Sequence, residues 1–238
     1  MSIREAASFA SRLLEVRDEC AGVKTFRFEV PGDFTFVPGM WLMLNFPDDP
    51  KTSRAFSLSS SPFEKGAVEL SAMKVAGFST RLFGLRPGDA LTLRGPYGKW
   101  LYVDDTPHAV LISGGTGITP FRAICRYVLE KKLPNRLTLL YSAKTPADIV
   151  YRDELARWQA AGIKTYVTVT RPEEAPVWKG PTGRITMDVV RREVPDLDQA
   201  VFFLCGPNKL VEELSAGLRA AGVDATRIRR EKWGDYSF

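Results

Sequence analysis

At 238 residues the chain is long enough for two modest domains. Hydrophobic residues make up 45% and charged residues 26%, a balance that excludes disorder over most of the length. The 33 Lys and Arg outnumber 28 Asp and Glu to give +5, but pairs such as Lys131-Lys132, Arg191-Arg192 and Arg229-Arg230 form no tract, which excludes nucleic acid as a partner and leaves acidic proteins or anionic cofactors.

The first part of the chain is built from short apolar runs broken by Gly and Pro. Strands are expected at Leu13–Val16, Lys24–Val30, Met40–Leu44 and Val68–Met73, with Phe26, Phe28 and Val30 alternating against polar neighbours as one buried face requires. Turns fall at Pro31-Gly32, Pro38-Gly39, Pro87-Gly88 and Gly95-Pro96. Short strands at this spacing predict an antiparallel β-barrel or sandwich, with a single short helix at Phe78–Leu85.

Past Pro107 the texture changes. Ala109–Ser113, Leu137–Tyr141, Lys164–Val169 and Ala200–Leu204 are compact apolar runs suited to strands buried on both faces. Amphipathic helical segments lie between them, at Pro120–Lys131, Pro146–Ala161 and Asn208–Ala221. Alternation of this kind predicts a doubly wound parallel α/β domain. The boundary is placed at Asp104-Asp105-Thr106-Pro107, giving domains of residues 1–104 and 105–238.

After the first parallel strand comes Ser113-Gly114-Gly115-Thr116-Gly117-Ile118-Thr119-Pro120, opening a helix. Glycines permit close backbone approach, the helix start offers free N–H groups to a pyrophosphate, and Pro120 suits a first helical turn. The loop is neither a GxGxxG fingerprint nor a Walker loop, so by itself it suggests a nucleotide and no more.

The cysteines, Cys20, Cys125 and Cys205, number 3 and are far apart with no CxxC pair. A disulfide framework, structural zinc and an iron–sulfur cluster all need closer or more numerous thiols, so no metal is expected. Met1–Leu14 lacks the apolar core of a signal peptide and no stretch is long enough to span a bilayer, so a reducing cytoplasmic setting is expected. The single histidine, His108, reads as a domain-junction residue.

Three further motifs complete a pattern: Arg54-Ala55-Phe56-Ser57 after a strand, Gly77-Phe78-Ser79-Thr80 after the next strand pair, and Cys205-Gly206-Pro207 ending the last buried strand. With Gly-Gly-Thr-Gly-Ile-Thr-Pro, and in this order, they resemble the ferredoxin–NADP reductase family from about Arg12 to Trp233. The resemblance implies an N-terminal antiparallel barrel holding FAD and a C-terminal parallel sheet holding NAD(P). Arg54 would contact flavin phosphate, Phe56 pack on the flavin and Ser57 approach its N5. Phe stands where the family has Tyr, which removes a hydroxyl worth roughly 1 kcal/mol of binding. Gly77, Phe78, Ser79 and Thr80 would close over the pyrophosphate, with the main chain of Met73, Lys74 and Val75 along the isoalloxazine and ribityl. In the second domain Gly115, Thr116, Gly117, Thr119 and Pro120 would cradle the nicotinamide nucleotide. Cys205, with Gly206 and Pro207, would stand beside the nicotinamide C4.

Taken alone, Arg54 is an ordinary surface cation and Cys205 a small core residue; the family placement changes both readings. At the C-terminus Glu231 and Trp233 match the family spacing of a proton-relaying carboxylate and a gating aromatic, with Tyr236 and Phe238 as other candidates for the ring cover. Lys144 and Arg171, in the loops after the second and third parallel strands, favour the 2′-phosphate of NADPH over NADH. With no cluster thiols the electrons must leave to another molecule. An acidic carrier, ferredoxin or flavodoxin, is the expected partner. A free flavin, ferric or quinone reductase of the same fold, or a non-catalytic subunit of a larger complex, is the alternative.

Overall fold

The computed structural model describes residues 6–233, with side chains to residue 231. The chain divides into two compact units. The first runs to Tyr102 and includes Thr119–Glu130; the second comprises Val103–Ile118 and the chain from Lys131 on.

The first unit is a 6-stranded antiparallel sheet in the order β4-β3-β6-β1-β2-β5, formed by β1 Ala7–Cys20, β2 Val23–Glu29, β3 Trp41–Phe46, β4 Asp49–Ser57, β5 Ala67–Met73 and β6 Ala90–Tyr97. It closes as a barrel where the chain leaving β4 reaches β5: Leu58 bridges Leu70, and Ser59 N–H donates to the Glu69 carbonyl at 2.8 Å. Phe26, Phe28, Leu42, Leu44, Leu58, Leu70, Leu91 and Leu93 fill its interior, each inaccessible to solvent. The expected alternation of Phe26 and Phe28 therefore points inward. β1 is longer than its apolar run because its first half pairs with β6 (Ala7↔Gly95 to Arg12↔Ala90) while its second half pairs with β2. β6 itself escaped the sequence reading, its Leu91 and Leu93 alternation being cut short by Gly95-Pro96. The helix α1 spans Phe78–Phe83.

The second unit carries a 5-stranded parallel sheet in the order β11-β10-β7-β8-β9: β7 His108–Gly114, β8 Arg136–Ala143, β9 Lys164–Val169, β10 Val201–Pro207 and β11 Ile228–Trp233. Its own helices are α3 Arg152–Ala160, α4 Met187–Glu193 and α5 Asn208–Ala220, while α2 Thr119–Lys131, between β7 and β8 in the chain, is counted to Glu130 with the first unit. Val190 and Val194 around α4, and Val211, Leu214 and Leu218 of α5, pack with Val110, Ile112, Leu140, Phe202 and Leu204 on one sheet face. Tyr141 points to the other face, where its hydroxyl accepts from Val150 N–H at 3.2 Å just ahead of α3. The sheet is doubly wound, as its pattern predicts.

Two boundaries differ from expectation. α3 starts at Arg152 because Thr145 and Asp148 close a short 3-10 turn over Pro146–Asp148 instead. The Arg54–Ser57 motif is the last part of β4 rather than a segment following a strand, whereas Cys205-Gly206-Pro207 ends β10 as expected.

Candidate functional site

In the first unit β4 pairs with β3 through Leu44↔Arg54, Met43↔Ala55, Leu42↔Phe56 and Trp41↔Ser57. Burial rises along the motif: Arg54 and Ala55 are exposed, Phe56 and Ser57 buried. The Arg54 guanidinium donates to the neighbouring Ser53 carbonyl at 2.9 Å and forms no ion pair with a carboxylate among the described residues. It is an uncompensated cation in a rigid fork, the form suited to phosphate oxygens. Phe56 is 8% exposed, its ring 6.1 Å from that of Phe78, which in turn lies 4.8 Å from Phe46.

The turn after β5 is shaped by Ser79. Its hydroxyl accepts from Val75 N–H at 2.8 Å, while Lys74 N–H donates to the Gly22 carbonyl at 2.8 Å. Gly77, at φ 57°, then turns the chain into α1. Met73, Lys74, Gly77 and Thr80 are exposed and Phe78 and Ser79 buried, so a large apolar side chain, Met73, lies open beside a polar turn.

In the second unit the strand order reverses between β7 and β10, the switch point at which open α/β sheets bind ligands beyond their strand ends. The two chain segments there close on one another with no room for side chains. A Cβ on Gly117 would lie 2.2 Å from the Cys205 carbonyl oxygen, and one on Gly206 would lie 3.0 Å from Gly114 N. Gly115 is exposed and Thr116 half-buried at the lip of this turn, and Thr119 and Pro120 are buried where α2 begins.

Cys205 is inaccessible to solvent and sits in register between Ser113 of β7 and Glu231 of β11. Residues in register on parallel strands share a sheet face, so the three side chains form a row. Ser113 Oγ and Glu231 Oε2 are both buried without a hydrogen-bond partner among the described residues. Burial pushes the Glu231 carboxyl above its ordinary range. Pro207 pairs with Trp233 through the backbone; the side chain of Trp233, like Tyr236 and Phe238, lies outside the described residues.

The loops after β8 and β9 are joined by Thr170 N–H to the Ala143 carbonyl at 3.0 Å and Arg171 N–H to the Lys144 carbonyl at 2.9 Å. Lys144 and Arg171, far apart in sequence, are thus adjacent. Lys144 has no ion pair among the described residues, whereas Arg171 pairs with Glu174 at 3.1 Å. Sequence reasoning missed Glu174 and Ser113. Their signals were slight: an i,i+3 acid after Arg171, and a hydroxyl ending an apolar strand. Among the described residues no cluster of His, Cys, Asp and Glu could hold a metal ion, and no helix is long and apolar enough to cross a membrane.

Comparison with known proteins bears on both units. The family profile described as oxidoreductase FAD-binding domain matches residues 10–102, and that described as oxidoreductase NAD-binding domain matches residues 111–215. Sulfhydrogenase 1 subunit gamma of Pyrococcus furiosus is 30% identical over 224 residues, covering 88% of this chain and 75% of its own. Ferredoxin–NADP reductase B of Sorangium cellulosum is 29% identical over 248 residues, 96% of this chain and 99% of that protein. The glycine betaine monooxygenase reductase subunit of Pseudomonas aeruginosa is longer: at 27% identity it aligns with 94% of this chain, which spans 63% of it. A ferredoxin NADP+ reductase structure from Neisseria gonorrhoeae with bound FAD and NADP shares the fold, at TM-score 0.80 and 19% identity over 95% of this chain and 98% of that one.

Proposed function

The chain belongs to the ferredoxin–NADP reductase family of FAD- and NAD(P)-binding oxidoreductases, and from that premise we propose that it draws hydride from NADPH and passes the electrons to a separate acidic carrier protein, a ferredoxin or flavodoxin. FAD, when bound, would supply the two-electron acceptor chemistry that links a hydride donor to an electron carrier. The residues fit these groups: among the described residues an exposed Arg54 has no carboxylate partner and Glu231 Oε2 is buried with no hydrogen-bond partner, while Gly117 and Gly206 leave no space for a Cβ. The domains are taken as residues 1–104 for FAD and 105–238 for the nicotinamide nucleotide.

In this reading Arg54 holds flavin phosphate, Ser57 approaches N5, and the turn from Met73 to Thr80 supports the ring and pyrophosphate. Gly115, Thr116 and Gly117, followed by Thr119 and Pro120, present backbone N–H groups to the second pyrophosphate. Cys205 packs against the nicotinamide without forming a covalent bond, and Glu231 serves as the proton-relaying carboxylate, burial raising its affinity for the proton. The observation that carries the reading is the closure of Gly117 on the Cys205 carbonyl, which sets the phosphate turn against the residue meant to face the reacting carbon.

NADPH is preferred because Lys144 stands beside Arg171. A 2′-phosphate must compete with Glu174 for the Arg171 guanidinium, so the preference over NADH should be moderate. Stopped-flow reduction of the purified yellow protein by NADPH and NADH in parallel tests donor and flavin together; acidic carriers, free flavin, ferric complexes and quinones then compete as acceptors. Reduction by neither nucleotide defeats the proposal.

A second reading is supported by two relatives that are subunits by name, sulfhydrogenase 1 subunit gamma and the glycine betaine monooxygenase reductase subunit: the chain serves as the electron-entry subunit of a larger enzyme. Slow turnover with every small acceptor and every carrier, despite rapid flavin reduction, would favour it.

A further inference from the structure

Within the first unit a buried ion cluster joins α2 to the barrel. Arg122, 5% exposed, donates from Nη1 to the Ser59 carbonyl at 3.2 Å and to Oε2 of Glu69, which is 2% exposed. The other Glu69 oxygen accepts from Arg17 at 2.7 Å and lies 3.6 Å from Arg27, while Arg126 stands 3.7 Å from Oε2. Burial alone would raise the Glu69 carboxyl, but Arg122 and Arg17 together hold it below the ordinary range.

Such a cluster is a poor source of stability, because desolvating both charges offsets most of their attraction. Its physical content is directional. A guanidinium bonded to two fixed acceptors leaves its own helix little freedom to slide. The acceptors here are Ser59, in the segment leaving β4 just past Ser57 and tied to β5 by Ser59 N–H, and Glu69 on β5 itself. The donor is in the first turn of α2, the turn that opens with Thr119 and Pro120.

We propose that Arg122 is a positioning residue for hydride transfer: its bonds to Ser59 and Glu69 set the first turn of α2, with Thr119 and Pro120, against the strand end that carries Ser57. The proposal rests on the reductase reading above. Under that reading, one end of the reacting pair is anchored at Thr119 and Pro120 and the other at Ser57. A displacement of about 1 Å between such anchors costs on the order of a hundredfold in rate.

Arg122→Lys tests it, since both bonds leave from Nη1, whose hydrogens are fixed in the guanidinium plane, whereas an ammonium rotates freely on a shorter reach and fixes neither direction. Stopped-flow reduction, using whichever nicotinamide reduces the wild type, separates the limiting rate per bound flavin from nucleotide affinity. The limiting rate is expected to fall about tenfold. FAD content and melting temperature should stay near wild type, while amide hydrogen exchange across Thr119–Phe121 accelerates. Should the lysine variant fail to fold, Arg122→Met/Glu69→Gln, which leaves no buried charge on either side of the pair, should show the same pattern. An unchanged limiting rate per flavin in a folded variant overturns the proposal, whether or not its melting temperature drops. Wild-type protein that neither NADPH nor NADH reduces defeats the reductase reading instead.

Discussion

Cys205 and Glu231 are direct neighbours in register on the parallel strands β10 and β11, a fully buried thiol beside a carboxyl whose Oε2 has no partner among the described residues. Two variants separate their roles. Cys205→Ala should retain FAD and slow flavin reduction by about tenfold, through lost packing against the nicotinamide; reduction at the wild-type rate removes Cys205 from the site. Glu231→Gln reads out the carboxyl through stability. Burial makes the folded state hold this proton to higher pH than the unfolded chain, whose ordinary value is 4.5. The carboxyl therefore supports folding below that value and opposes it as pH rises through the folded one. Denaturant unfolding should show Glu231→Gln gaining on wild type as pH rises above 4.5, until the folded carboxyl has ionised; parallel curves would contradict a carboxyl raised by burial.

Arg54 offers a cleaner separation of binding from folding. Among the described residues its one side-chain hydrogen bond is to the adjacent Ser53 carbonyl, so Arg54→Ala should change the stability of the flavin-free protein by less than about 0.5 kcal/mol. Loss of a charge-assisted phosphate contact costs about 1.5–3 kcal/mol of binding. The variant should elute colourless from purification, with FAD restored only by excess ligand in an absorbance titration. A variant that stays yellow places the phosphate elsewhere.

The barrel and the parallel sheet were legible because their strands follow two different rules of burial. Phe26 and Phe28 alternate with polar neighbours on one-sided strands, whereas Leu111, Ile112, Phe202 and Phe203 are apolar in succession because both faces are covered. The crowding at Gly117 and Gly206 was legible as well, since glycine permits a close backbone approach that any Cβ would block. What the sequence could not show is pairing across distance. Nothing in Arg122 or Glu69 alone announces that each is the other's buried partner, and Arg17, Arg27 and Arg126 read as scattered surface charge. Glu231 and Cys205 are similar: their adjacency is a matter of strand order, which places β11 beside β10 only once the fold is known.

Gly117 turns this geometry into a quantitative test. A methyl group there would meet the Cys205 carbonyl oxygen at 2.2 Å, backbone against backbone, with no flexible side chain to yield. Gly117→Ala should cost about 1–3 kcal/mol of stability by overpacking and weaken NADP+ binding measured by calorimetry, while the FAD spectrum persists. Gly32→Ala is the matched control, because a Cβ there meets nothing within 4 Å and should change stability by less than about 0.5 kcal/mol.

His108, at the opposite end of β7 from Ser113, makes the second unit acid-sensitive. Arg136 can only donate, so its 2.7 Å contact fixes Nδ1 as the acceptor and leaves Nε2 to donate to Thr138 Oγ1 at 3.0 Å. Asp196, 3.7 Å from Nδ1, is itself paired with Arg136. Burial, then the Arg136 charge, lower the imidazole below its ordinary 6.5, and Asp196 only partly opposes them. The neutral ring is therefore the folded form. As pH falls below 6.5 the unfolded chain takes up a proton that the folded chain refuses. Stability is then lost until the pH reaches the folded value, at up to about 1.4 kcal/mol per pH unit. His108→Gln keeps a side-chain amide that can accept from Arg136 but does not titrate. The difference between wild-type and His108→Gln unfolding free energies should be flat above pH 7 and shift in favour of the variant from pH 6.5 to pH 5. A difference that stays constant across that range would mean the imidazole is protonated in the folded protein, with Asp196 rather than Arg136 setting its charge.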